Sequence, residues 1–377
     1  MSKTRRGTSE SDFVGTFSSS GHSLKKPGGH IQMVNTVSIT YSRHYIRMQI
    51  NPFNLALRVF VIVWLSALAA CQPRKTAIHP SKPGWTRFTS ANSPLPNPQI
   101  NALAIGQPDV VWIGTADGLA RYNEAQWTLF TSANSALPSN FIQALTVQPD
   151  GTLWVGTNKG LARFDGTSWV AYTPTNSVLP DRAVMSLAYD PVNHLTWVGT
   201  AKGIVSINPA QKWTVFDELD GELVLCMTTD HTGALWVGTH EPFSFRGRIK
   251  RFDQGQWTTF PLDQMSYASA FPYGIAVASN NAVITLLAGT VVNTALRFTG
   301  SGWTELSKPS GALGLRALAL RGEEVWVGGN VLTQLDVPAA SPIDIPGNRY
   351  GTLSMAVDST GDLWLGSAGG GLWVYHP

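Results

Sequence analysis

The sequence predicts an all-β fold, a seven-bladed β-propeller of four-stranded antiparallel blades, on three observations. A tryptophan-bearing strand of the form Leu-Trp-Val-Gly-Thr recurs about every 42 residues, a second tryptophan series runs in step with it, and the apolar runs between turn residues are only 4 to 6 residues long. Runs of that length leave no room for crossover helices, so helix is expected to be nearly absent. With 43% hydrophobic and 14% charged residues, 36 glycines and 14 tryptophans, disorder, coiled coil and collagen are excluded.

Residues 1–47 are rich in Ser, Gly and basic side chains and lack apolar periodicity. They are read as a disordered extension or a misassigned gene start upstream of Met48. Val59 to Ala70 is one unbroken apolar stretch of 12 residues behind Arg58, too short to cross a bilayer but suited to the core of an export signal. It ends in Leu68-Ala69-Ala70-Cys71, which resembles the lipobox of bacterial lipoproteins. That resemblance implies a signal over 48–71, lipidation of Cys71 and a membrane-tethered, exported protein. Gln72 after the cysteine implies, in a two-membraned bacterium, the outer membrane facing the periplasm or the cell surface. Residues 72–83 then form a short linker.

The formal charge of +3 comes from the N-terminal part: residues 1–71 hold 8 of the 27 basic and 2 of the 24 acidic residues, leaving 19 and 22. Without a basic run to track phosphates, nucleic acid is not expected as a partner. Cys226, the second cysteine, stands in the apolar run Leu223 to Met227 and reads as a buried small hydrophobe.

From Gly84 to Pro377 the chain is one repeat. Its second strand is Val111-Trp112-Ile113-Gly114-Thr115 and returns around Trp154, Trp197, Trp236, Trp326 and Trp364, with Leu286-Leu287-Ala288-Gly289-Thr290 read as a degenerate copy in which Leu287 replaces the tryptophan. Trp112 and Trp364 are 252 residues apart over six intervals, so the 294 residues of 84–377 hold seven units. Trp85, Trp127, Trp169, Trp213, Trp257 and Trp303 mark the fourth strands, and Ile343-Asp344-Ile345 stands in for that motif in unit six. The glycine two places after each second-strand tryptophan is expected to make room for a bulky group of the adjoining blade. The region opens on a fourth-strand sequence, Gly84 to Phe88, and closes on a third-strand one, Gly371 to Tyr375, so the N-terminal strand is expected to complete the last blade.

The units resemble the two-component regulator propeller repeat, in which a turn rich in Asp and Gly precedes a Leu-Trp-[Val/Ile]-Gly-Thr strand and a Gly-Leu. Val147 to Leu161 matches that pattern along its length. In that family such propellers often form the extracytoplasmic sensing part of hybrid histidine kinases, frequently in polysaccharide utilisation. This chain reaches Pro377 directly after the last blade, and no kinase or DNA-binding output is expected in it.

Ligands of propellers usually approach one end of the central channel, through the loops between second and third strands and those joining blades. The first set holds Asp117, Lys159, Lys202, His240 and Asn330; the second holds Arg182, Glu222, Arg316, Arg349 and Tyr350. Unit four carries an insertion, His240 to Arg251, that includes Arg246, and Tyr267, Phe271 and Tyr273 follow it. The expected ligand-binding set is therefore Asp117, Lys159, Arg182, Lys202, His240, Arg246, Tyr267 and Arg349, recognising a glycan, a peptide or a partner protein. His240 has no second His or carboxylate at ligand spacing, so no metal and no cofactor is expected. No nucleophile, metalloprotease or P-loop motif occurs. The reading is a non-enzymatic, monomeric binding or sensing lipoprotein. The alternative is a propeller enzyme of the lyase or lactonase type, for which streptogramin lyases and lactonases are precedents on the same architecture.

Overall fold

The structure, a computed structural model, describes residues 36–41, 44–49 and 84–377, apart from 243–245, 266, 268, 290–292, 309–313 and 338–339. The chain divides into two units, Met1–Ile78 and His79–Pro377. In the first, Thr36–Tyr41 pairs antiparallel with His44–Gln49. Cys71 and the apolar stretch before it lie outside the described residues.

The second unit is the expected seven-bladed propeller. Blades 1 to 6 occupy residues 100–130, 142–172, 184–216, 223–261, 270–305 and 317–344, each a meander of four antiparallel strands in sequence order. Blade 7 takes three strands from Thr352–Val357, Leu363–Ser367 and Leu372–His376 and its fourth from Gly84–Phe88, paired from Gly84↔His376 to Phe88↔Leu372. The N-terminal strand thus closes the ring, as its phase in the sequence predicts. Among the described residues of this unit helix is confined to one 3-10 turn, Asp217–Leu219, and no helix is long and apolar enough to cross a membrane.

The core lies between blades and not within them. The buried residues fall into seven clusters, each drawn from two neighbouring blades, so a blade has no interior of its own and depends on its neighbours. Six of the seven clusters contain a second-strand tryptophan, with Trp154 and Trp236 only 1% exposed. The strand glycines act as expected. A Cβ on Gly114 would lie 2.6 Å from Ile142, one on Gly156 2.7 Å from Val184, and one on Gly366 2.5 Å from Ile100, in each case the first strand of the next blade.

Blade 5 departs from the expected alignment. Leu287 does not take the tryptophan's place: the third strand pairs Ile284 with Arg297, as it pairs Trp112 with Arg121, and Phe298 with Trp303, as it pairs Tyr122 with Trp127. Ile284 is therefore the substitute, and Leu286 occupies the glycine position. The Leu-Leu-Ala-Gly-Thr run imitates the motif three residues late. Leu286 fits because blade 6 begins its first strand only at Ala317, and Leu286 shares the interface with Leu315 of the preceding segment.

Candidate functional site

The eight residues expected to bind ligand are spread around the face that carries the second-to-third-strand hairpins. Asp117, Lys159 and Lys202 each occupy the same hairpin place, where the preceding strand's threonine caps the turn: Thr115, Thr157 and Thr200 donate Oγ1 to the carbonyls of Gly118, Gly160 and Gly203. That geometry turns the three side chains outward. Asp117 then accepts from Asn140 Nδ2 at 3.0 Å, and Lys202 lies 3.7 Å from Asp181. His240 stands edge-on to Phe271 at 4.4 Å, Arg246 O accepts from Glu241 N at 3.3 Å within the insertion, and Tyr267 donates to Glu305 at 3.1 Å. Burial, and then the contact with Glu305, pushes the Tyr267 phenol above its usual range. Arg182 and Arg349 are exposed on interblade loops. None of the eight lines the central channel.

A site that the sequence reasoning missed is built by the first strands. In six blades the first strand holds one residue more than its partner: pairing jumps from Ile100↔Thr115 to Ala102↔Gly114, and likewise over Gln143, Met185, Leu225, Tyr273 and Leu353. Such a bulge leaves one residue out of the ladder and re-aims it. In blade 6 Arg316 precedes the strand and its N–H donates to Gly328, holding the equivalent place. Each extra residue sits between a large buried residue and a small one, as in Ile142-Gln143-Ala144, Val184-Met185-Ser186 and Leu315-Arg316-Ala317. The flanks repeat in kind while the middle position changes chemistry from blade to blade. The triplet stands in the sequence but reads there as ordinary strand alternation, and Tyr273 and Arg316 were placed only in general loop sets.

Met185, Leu225, Tyr273, Arg316 and Leu353 line a central cavity of about 220 Å³. Among the described residues no carboxylate lines it, and the Arg316 guanidinium and the Tyr273 hydroxyl have no partner. The serines beside them are already engaged: Ser186 donates to Val224 O and Ser354 to Ile100 O, each tying one blade to the next. Asn101 does the same through Ile142 O at 2.8 Å. Cys226 also borders the cavity, but burial pushes its thiol up to about 12, so it remains a thiol.

Other polar features are internally satisfied. Lys250, buried where blades 1 to 3 carry Ala120, Ala162 and Val205, donates to Glu222 Oε1 at 2.7 Å and Glu218 O at 3.3 Å. Arg248 bridges Glu222 and Glu241, so this network ties the insertion to the preceding interblade segment. On the opposite face two clefts of about 560 and 650 Å³ flank Arg251. They are larger than the channel, yet their charges are committed: Arg251 pairs with Asp253 at 2.7 Å, and Asp230 accepts four hydrogen bonds from its own turn and Trp236. Among the described residues no group of three or more His, Cys, Asp or Glu is placed to hold a metal ion.

Residues 136–159 match the family model described as two component regulator propeller, which bears out the resemblance read in the repeat. A search of the curated proteins returns no match. Among solved structures, a streptogramin B lyase is similar at TM-score 0.65 and 16% identity, over 78% of this chain and 97% of that one. The virginiamycin B lyase of Staphylococcus aureus is similar at 0.63 and 18%, over 78% and 98%. The extracellular domain of a hybrid two component system protein of B. thetaiotaomicron is similar at 0.61 and 16%, and the matched part is 78% of this chain but 42% of that one. At these identities the likeness is one of fold.

Proposed function

We propose that this chain is a non-enzymatic, extracytoplasmic binding or sensing propeller whose ligand seats at the channel mouth, on the ring of bulge residues. The observation that carries this reading is the contrast within one repeat. Position after position is held constant for packing, while the bulge residue varies as Asn, Gln, Met, Leu, Tyr, Arg and Leu, and in blades 3 to 7 it lines the central cavity. Residues that differ where the scaffold does not need them to differ serve recognition. The likeness to the extracellular domain of a two component system protein supports an extracytoplasmic setting, and a lipid on Cys71 would supply the tether.

Binding is favoured over lyase chemistry by the groups at the mouth. Proton abstraction needs a base poised near neutral pH, and the cavity offers a guanidinium, a phenol and two serines already donating to backbone. His240, on the same face, rests against Phe271 outside the cavity lining.

The test is a thermal-shift screen of glycans, short peptides and small acids, repeated on Leu225→Trp, which fills the mouth. A bound compound raises stability by mass action. The reading expects a shift that Leu225→Trp removes; a shift that survives this variant moves the site elsewhere. For the tether, Cys71→Ser is expected to release the protein from membrane fractions, and continued sedimentation with membranes would refute it.

A further inference from the structure

We infer that the ligand of the mouth is a short aliphatic monocarboxylate, held by its carboxylate on Arg316 and Tyr273 and by its chain on Met185, Leu225 and Leu353. This rests on the mouth being the binding site and adds the chemistry of what it takes.

Charge sets the first requirement. Among the described residues lining the cavity Arg316 alone carries a formal charge, and its guanidinium has no acceptor among the described residues. An unpaired cation at the open mouth of the channel attracts an anion, and a guanidinium meets a carboxylate through two parallel N–H bonds. Tyr273 is the adjacent ring member on blade 5, 46% exposed, with an O–H free to donate to the same anion.

Shape and polarity set the second. The neighbours on either side of this polar pair, Leu225 of blade 4 and Leu353 of blade 7, are apolar, and Met185 of blade 3 extends the apolar arc. Sulfate or phosphate would leave that arc facing water, whereas an alkyl chain covers it. A cavity of about 220 Å³ corresponds to roughly seven waters at ~30 Å³ each. Pentanoate has about that many heavy atoms.

The experiment compares three probes by calorimetry and thermal shift on the full chain: pentanoate, methyl pentanoate, which keeps the chain and loses the charge, and acetate, which keeps the charge and loses the chain. Pentanoate at 10 mM should raise the melting temperature by about 2 °C, with the ester and acetate giving far less. Arg316→Gln should weaken pentanoate at least about tenfold, and Tyr273→Phe by less. Because both side chains are solvent-exposed, both variants should keep the parent melting temperature without ligand. Equal binding of the ester, or pentanoate binding unchanged in Arg316→Gln, overturns the assignment. If pentanoate fails while a glycan or peptide binds and is blocked by Leu225→Trp, the acid assignment falls and the mouth remains the site. If nothing responds to Leu225→Trp, both fall.

Discussion

The indole N–H groups of the buried tryptophans show how closely single residues differ between blades. Trp236 Nε1 donates to Asp230 Oδ2 at 3.0 Å, while Asp230 Oδ1 accepts from Thr232 N, Thr232 Oγ1 and Ala234 N. Asp358 repeats this for Trp364 in blade 7. In blade 2 Gln148 stands at that position and donates to Thr196, and Trp154 Nε1 is buried without a partner. Burial pushes the Asp230 carboxyl up, but the hydrogen bonds from Thr232, Trp236 and Ala234 outweigh it and hold it below the usual range. A carboxylate held low in the folded state stabilises the fold above its unfolded value near 3.9, and that contribution fades as pH falls through the folded value. Asp230→Asn should therefore cost about 1–2 kcal/mol near neutrality, and its gap to the parent protein in unfolding experiments should close toward pH 3. A gap that stays constant over that range would show that the carboxylate's charge is immaterial. The turn itself was legible as an Asp and Gly pattern. Its bond to the indole was not, because that depends on the carboxylate's reach across the hairpin and fails when one residue is added, as with Asp190 and Trp197.

Strands meet across blades by a fixed device, a large residue of one blade seated over a glycine of the blade before it. Gly156→Ala would bring a Cβ to 2.7 Å from Val184 Cγ1 and 3.0 Å from Val184 O, and the second contact is with backbone that cannot step aside. The expected loss is about 1–3 kcal/mol, measured by denaturant unfolding. Val184→Ala in the same chain should recover little of it, because the carbonyl stays in place. Full recovery would assign the whole effect to the valine methyls. At this scale the sequence revealed the glycine's purpose but concealed the bulge beside it. Large-variable-small reads as ordinary strand alternation, and whether the variable residue faces the axis depends on an unequal residue count between paired strands. That property belongs to the pairing and not to either strand alone. The same limit produced the misalignment of blade 5, where Gly289 completed a convincing motif that the hairpin to Trp303 does not support.

The propeller unit as a whole is held by a ring of equivalent interfaces, one of which is the seam between its two chain ends. At that seam Arg87 donates to Gly370 O and lies 4.6 Å over the Trp373 ring, Phe88 stacks against Trp364, and Thr86 Oγ1 meets His376, whose other ring nitrogen meets Asp362 at 2.7 Å. Removing residues 84–88 should leave blade 7 with a bare edge, lower the melting temperature sharply and produce concentration-dependent oligomers on gel filtration. A monomer melting like the full chain would mean that the seam contributes nothing. Blade count and closure were legible because they are arithmetic on the repeat. The mouth was legible only in part, since its members lie about 42 residues apart and meet through closure. Gly84 and His376, the two ends of the ring, are direct partners in one sheet. The chain's starting point along the circle is therefore incidental to its architecture: a short covalent bridge between those ends, with the backbone opened at any other hairpin tip, would preserve every pairing and merely renumber the wheel.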